Sequence, residues 1–407
     1  MAGRDAVRMK AAGKELLVLN NPRLIEEVVE RDPPVLGPIP VKEAEQFAGD
    51  SVVVLSGDAH ARRRALVEPL LGEAAARRYA ASIVAEADAH CAAWSDGSVV
   101  DAEAEMEQLA ADAIAAALFG EDLDTIREPI REFHRLSRAV VTRTINPFAP
   151  LLWRLPLPLT RRFNRARSGF RAAVDPLVVA RRDRDTGDLL SALVHSEDSG
   201  GRLSVAQARD EAWTYYSQGP PGPALTWIWW LIGTSPAAEA ALQLELDGRL
   251  AGRRPSGADL DGLEYTRAVV LEALRLYPPA MGLIRRAAKT FTLDGIAVPA
   301  GRWVLVSYFV LHRDPRFWSE PDVFRPERWL GDRAHEIPSH AYLPFALGPR
   351  RCPGRSFALI KCTLLVAAIA SRWRLHPTRP SAELDLVPFL RPRNGLPMRL
   401  EQRSAGS

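Results

Sequence analysis

One ten-residue stretch constrains this chain more than any other: Phe345-Ala-Leu-Gly348-Pro-Arg350-Arg-Cys352-Pro-Gly354, followed by an apolar helical run from Arg355 to Trp373. It reads as a loop that presents one cysteine, with glycines where backbone must come close to something flat. A partly buried thiolate needs cations and backbone donors around it. Phe345 can wall off water, Gly348 allows the tight turn, and Gly354 lets the following helix approach closely. Arg350, two residues before the sulfur, is a fixed planar cation suited to a carboxylate. The plainer alternative is a buried structural cysteine ahead of a core helix.

These residues resemble the cysteine loop of cytochromes P450, Phe-x-x-Gly-x-Arg-x-Cys-x-Gly, and all five fixed positions match. So many placed residues in so short a stretch speak against the plainer alternative. The resemblance implies haem b, with Cys352 as its axial thiolate and metal ligand. It also implies a mainly α fold with small β-sheets, the haem lying between a long central helix and the helix after the cysteine. A single domain over residues 1–407 is expected, its N-terminal arm and first helix apparently shortened or absent.

The net charge of +3 on 407 residues gives no reason to expect a nucleic-acid partner. Three cysteines, Cys91, Cys352 and Cys362, are too few for a disulfide scaffold. The longest nearly apolar run, Cys362 to Ala370, is about half of what a bilayer needs. No signal segment is readable, so a cytoplasmic protein is expected.

In chain order, Val7–Met9 and Leu16–Leu19 around Gly13 predict a β-hairpin, and Asn21-Pro22 opens a helix over Arg23–Glu30. His60 and Arg64, four apart, share a helix face. The resemblance makes them ligands of the haem propionates, whereas a solvated basic face with Arg62 and Arg63 is the bland alternative. Ala74–Trp94 and Met106–Phe119 read as Ala-rich core helices. Asn146–Leu159 reads as an irregular apolar loop before a helix over Thr160–Arg182; the resemblance places substrate entry there.

Glu272 and Arg275 lie on a helix over Tyr265–Tyr277 that Pro278-Pro279 stops. Together with Phe324-Arg-Pro-Glu327-Arg328-Trp329, they match the family's buried Glu–Arg–Arg network, a structural support for the haem pocket. Phe291–Asp294 and Trp303–Val310 read as short strands. Ahead of them, the resemblance turns Leu283 and Ile284 towards substrate and Arg285 towards a propionate. His312-Arg313-Asp314-Pro315 matches a further family segment.

The chain departs from the family in its central helix, expected over Asp210–Thr234. Oxygen-activating members carry an acid and a threonine there, which deliver protons. Here the segment is Ser217-Gln218-Gly219-Pro220-Pro221-Gly222-Pro223-Ala224. One register puts Gly219 and Pro220 at the acid and the alcohol, the other Pro221 and Gly222; both lack a carboxylate and a hydroxyl. Three prolines in four residues, each costing ~3 kcal/mol inside a helix, predict a break over Gly219–Gly222 with Pro223 starting a second half-helix. Ser217 and Gln218 are the nearest polar candidates to face the iron. The segment is similar to the same helix in prostacyclin synthase and related sterol hydroxylases.

Three functions are in play. The first is a monooxygenase oxidising a lipophilic molecule in secondary metabolism. Its electrons would come from an acidic ferredoxin and its reductase, docking by Arg351, Arg355 and Lys361. The second uses a peroxide as oxygen donor and needs no reductant. The third is a non-catalytic partner protein of this fold.

Overall fold

The computed structural model describes residues 5–11, 14–30, 36–37, 48–144, 157–198, 200–218, 222–338, 340–385 and 389–403. The chain opens with β1 (Ala6–Ala11) and β2 (Lys14–Leu19), an antiparallel hairpin in which Leu16–Leu19 turn into the core. Asn21 caps α1 (Pro22–Val29): its side chain accepts the Arg23 N–H, and Pro22 occupies the first helical position, where no N–H is needed.

Helices then dominate. In order they are α2 (Gly57–Val67), α3 (Glu73–Arg78) and α4 (Ala80–Cys91). A short strand β3 (Val99–Asp101) leads into α5 (Ala102–Phe119), α6 (Leu123–Thr144), α7 (Pro158–Asp183) and α8 (Leu189–His195). The single helix expected over Ala74–Trp94 is two, parted at Tyr79, whose backbone (φ −92°, ψ 5°) leaves the helical region. The loop expected over Asn146–Leu159 falls largely outside the described residues.

The central pair is α9 (Val205–Gln218) and α10 (Gly222–Gly233), followed by α11 (Pro236–Leu250) and α12 (Glu264–Leu276). Strands β4 (Gly282–Arg286), β5 (Phe291–Leu293), β6 (Ile296–Val298) and β7 (Trp303–Ser307) come next. The strand expected to reach Val310 stops at Ser307, whose hydroxyl caps a one-turn helix α13 (Tyr308–Leu311). The last helix is α14 (Arg355–Ala370), ahead of β8 (Trp373–Pro377) and β9 (Pro397–Gln402). Trp373 therefore starts a strand and does not end the helix.

The main sheet runs β1-β2-β7-β4, with β2 and β7 parallel and the outer pairs antiparallel. A second sheet runs β8-β9-β3. The helices close around one large apolar core to which α4, α5, α6, α7, α10, α12 and α14 all contribute, and a smaller core lies under the main sheet and α1. No helix of the described residues is long and apolar enough to cross a membrane.

Candidate active site

The cysteine loop is held by its own backbone. Cys352 N–H donates to the Phe345 carbonyl at 2.8 Å, and Arg351 N–H to Gly348 at 3.0 Å. Gly348 has φ +72°, and a Cβ there would lie 2.6 Å from Val29 Cγ1 and 3.0 Å from the Val29 carbonyl. Both the turn and the close approach to α1 require glycine. Gly354 differs from expectation: a Cβ there would meet nothing among the described residues nearer than 3.9 Å, so no helix approach depends on it. Its backbone N–H instead donates to the Cys352 sulfur.

Cys352 is exposed, whereas Cys91 and Cys362 are buried. Its sulfur nevertheless lies deep among protein atoms, and this burial raises the thiol pKa against the Gly354 N–H and the Arg64 charge. A residue both accessible and enclosed lines a recess. A cation at the sulfur reverses the pKa balance and makes it a thiolate.

Positive groups gather on one side of this loop. Arg285 is buried, and among the described residues its guanidinium hydrogen-bonds only the carbonyl of Ile284, at 2.9 Å. Arg350 donates to the Leu55 carbonyl at 2.8 Å. Neither meets a carboxylate among the described residues. Desolvation pushes Arg285 down to about 10, with Arg350 adding repulsion, and lowers Arg350 as well. His60 is pushed down to about 4 by burial, then by Arg350 and Arg64. Cations buried without anions are costly unless an acidic partner joins them. Two guanidiniums and an imidazole in one place fit a ligand bearing carboxylates, as haem does.

Arg64 is otherwise engaged. Its guanidinium bonds Glu68 at 2.8 Å and the Arg351 carbonyl, anchoring the loop from α2. The helix is no solvated basic face either, because Arg63 is buried against Glu211 at 2.8 Å. Leu283 and Arg285 line one recess with Val28, Val29 and Leu347. Ile284, expected beside Leu283 in the substrate pocket, lies between them on the strand and points to the other face, 39% exposed. Tyr308, buried at the start of α13, is close enough to both Arg285 and Cys352 to feel their charge. Sequence reading missed it by continuing the strand.

Beneath the loop lies the expected Glu–Arg–Arg network. Both Glu272 oxygens are taken by Arg275, at 2.9 and 2.8 Å, and Arg328, Trp329 and the Arg325 N–H complete the shell. Arg275 also donates to the carbonyls of His312 and Pro321. His312 Nε2 accepts the Leu343 N–H at 2.8 Å, so Nδ1 carries the proton and donates to the Arg275 carbonyl at 3.1 Å. Burial pushes His312 down to about 3, keeping that tautomer neutral. The network thus runs from α12 to the residue two before Phe345.

Of the central helix, α9 ends at Gln218 and α10 starts at Gly222, one residue ahead of the Pro223 expected to open the second half-helix; the rest of the break expected over Gly219–Gly222 lies outside the described residues. Gly219, Pro220 and Pro221 lie outside the described residues, as does the Gln218 side chain. At Gly222 a Cβ would lie 2.8 Å from the Glu107 Cα, so α10 starts hard against α5. Thr226 bonds back to the Gly222 carbonyl, and Trp227 stacks on Tyr277. Lys361, expected on the docking face, is fully buried instead: its amine approaches the Ala110 carbonyl and the Phe357 ring, and burial pushes it down to about 7. The reason is its place on the inner face of α14, between two buried neighbours of the same stripe, Phe357 and Leu364.

The family described as cytochrome P450 matches residues 4–396. Cyclooctatin synthase of Streptomyces melanosporofaciens is 36% identical over 400 residues, 94% of this chain and 86% of the relative. Cyclooctat-9-en-7-ol 5-monooxygenase of the same organism is 35% identical, over 92% of this chain and 83% of the relative. Pentalenene oxygenase of Streptomyces avermitilis is 31% identical, over 99% and 91%. The crystal structure of the haem domain of cytochrome P450DA matches with a TM-score of 0.87 at 22% identity, covering 98% of this chain and 90% of that one, which speaks for the fold alone.

Proposed function

The chain belongs to the cytochrome P450 family, whose members bind haem iron through a cysteine, and on that premise we propose a monooxygenase in which Cys352 is the ligand. The observation that carries this reading is the site itself. One accessible cysteine, receiving the Gly354 N–H, stands beside guanidiniums that no described carboxylate pairs. When bound, haem supplies the oxygen-activating chemistry that no side chain here can supply.

The chain's own residues do the rest. Phe345 and the loop backbone fix the sulfur. His60, Arg285 and Arg350 take the two carboxylates of the cofactor, while Arg64 ties α2 to the loop through Glu68 and the Arg351 carbonyl. Leu283 contributes an apolar wall. The net reaction is RH + O2 + 2e− + 2H+ → ROH + H2O, the electrons coming from a reduced ferredoxin and its reductase. Arg351 and Arg355 are the exposed cations beside the cysteine for that encounter. The substrate proposed is an apolar cyclic terpenoid, either the hydrocarbon or its mono-alcohol. The substrates named for two relatives, pentalenene and cyclooctat-9-en-7-ol, support that class.

A second reading keeps the site but takes oxygen from a peroxide. It is favoured by the central segment, which has no acid–alcohol pair in either register. The deciding experiment offers the holoenzyme a panel of cyclic terpene hydrocarbons and alcohols in two arms. One arm has ferredoxin, reductase and NADPH in air; the other has hydrogen peroxide or organic hydroperoxides without reductant. Reductant-dependent hydroxylation is expected, with the product's new oxygen derived from labelled dioxygen. Turnover confined to the peroxide arm would replace the first reading by the second.

A further inference from the structure

Tyr308 is 3% exposed, yet its hydroxyl makes no hydrogen bond among the described residues. A buried tyrosine normally finds a partner for its O–H. The oxygen is not one of the fully enclosed, unpaired polar atoms of the core either, so it borders a recess. The backbone says which one. In the β4–β7 ladder Arg285 lies opposite Val304 and Leu283 opposite Val306, so these four side chains share one face. Val304, Val306 and Tyr308 alternate along the chain and are all buried, so Tyr308 continues that row past Leu283. Its N–H donates to the Met281 carbonyl at 2.9 Å, and its ring lies nearly parallel to the His312 imidazole, 6.1 Å away at 12°. Leu283 and Leu347, which line the recess with Arg285 and Arg350, pack against the core that holds Tyr308. Burial raises the tyrosine's pKa, against the Arg285 charge and with that of Cys352, so the O–H is within range of both and stays a donor.

We infer that the Tyr308 O–H donates to the same cofactor carboxylate that Arg285 takes, which makes it a haem-binding residue beside His60, Arg285 and Arg350. The inference rests on the haem reading of the proposed function. A carboxylate has about four acceptor sites, so it can receive a guanidinium and a phenol together. Arg285 is buried with one neutral acceptor, the Ile284 carbonyl, and the carboxylate it calls for has to come close to the row that Tyr308 continues. Arg350 already repels Arg285. A phenol adds a hydrogen bond to the carboxylate without adding a third cation to that repulsion. The other acceptor within range is the Cys352 sulfur, which already receives the Gly354 N–H. A phenol between a guanidinium and the thiolate therefore serves the acceptor on the guanidinium side.

The test compares the wild type with Tyr308→Phe, which keeps the ring on His312 and removes only an oxygen that no described group bonds, so the chain should fold unchanged. Each protein is loaded with haem or with haem whose two carboxylates are methyl esters, and haem transfer to excess apomyoglobin is timed. Loss of a hydrogen bond to a charged acceptor should speed release of ordinary haem from Tyr308→Phe roughly tenfold. With the diester the two proteins should release at nearly the same rate, because the anionic acceptor is gone. A merely structural role does not produce that split. Resonance Raman should show the propionate bending bands of ordinary haem shifted in the variant, with the iron–sulfur stretch in place. Unchanged release of ordinary haem overturns the assignment, as does equal acceleration with both haems. A shifted iron–sulfur stretch with either haem also overturns it, since the hydroxyl would then serve the sulfur. Failure of the haem reading itself looks different: the wild type would take up neither haem with a thiolate-type spectrum, and both conclusions would fall.

Discussion

Two carboxylates, Glu272 on α12 and Glu211 on α9, are both fully buried and both face a guanidinium, yet their surroundings differ in kind. Glu272 accepts five hydrogen bonds, from Arg275 twice and from Arg328, Trp329 and the Arg325 N–H once each. Among the described residues, Glu211 accepts two, both on one oxygen. A buried carboxylate closed on all sides is part of the scaffold, because every alternative arrangement leaves a charge uncompensated. One with an oxygen to spare is held in place yet free to exchange a proton. The difference separates the ground under the cysteine loop, where nothing is to move, from the seam between α9 and α2.

The largest effect should come from opening the closed centre. Glu272→Ala leaves the Arg275 guanidinium fully buried without its carboxylate, which costs about 3–5 kcal/mol. Chemical denaturation of the holoprotein should show that loss, together with haem release, because His312 and Leu343 transmit the network to the loop. A midpoint within error of wild type would show that the remaining carbonyl acceptors suffice and that the contrast between the two carboxylates is unreal.

The open centre should show itself in pH dependence. The Glu211 carboxyl is raised by burial to about 7 from its ordinary 4.5, so between these values the folded state binds more protons than the unfolded one. Stability contributed by this group is therefore full below about 4.5, falls as pH rises through about 7, and is flat above, a span of about 3 kcal/mol. Urea midpoints measured across that window should decline in the wild type, and the decline should flatten in Glu211→Gln. The slope is the diagnostic, since that variant also leaves Arg63 with Asp50 alone. Identical slopes would assign the proton uptake to another group.

Much of the closed region was legible in the sequence, because its chemistry is compressed into short motifs. The cysteine loop and the Glu272, Arg275 and Arg328 set each fix residue type and spacing together. What escaped is long-range. Glu211 meets Arg63 across 148 residues, and nothing local to either marks the pair. Lys361 reads as a surface cation until α14 is packed and its face turns inward. Ile284 and Leu283 read as one apolar pair until β4 forms and pleating sends them to opposite faces. Tyr308 was concealed by a cap: Ser307 ends the strand and turns the chain into α13, a choice that an apolar run of strand-formers does not announce.

Looseness in hydrogen bonding on α9 does not extend to packing at the start of α10. Gly222→Ala would drive a Cβ to 2.8 Å from the Glu107 Cα, and helix backbone cannot yield as a side-chain tip can. The expected cost is about 1–3 kcal/mol. Thermal unfolding checks it, and a neutral result would mean that α10 shifts freely against α5.

Glu68 offers the smallest and sharpest test, being the carboxylate between the two extremes. Arg64 and Arg351 both reach it, as two guanidiniums reach Glu272, but one third of its side chain is open to water. The Arg64 hydrogen bond lowers its pKa, where burial with a single guanidinium raises that of Glu211. If exposure, and not the number of donors, governs what a partner contributes, Arg351→Ala should cost less than about 1 kcal/mol, because its own side chain is 57% exposed and solvent screens the pair. Arg64→Ala should cost more, because it also frees the Arg351 carbonyl that holds the loop over the sulfur. Equal losses from the two, measured by denaturation at matched salt, would mean that the loop is fixed by its internal backbone bonds and that the anchor from α2 adds nothing.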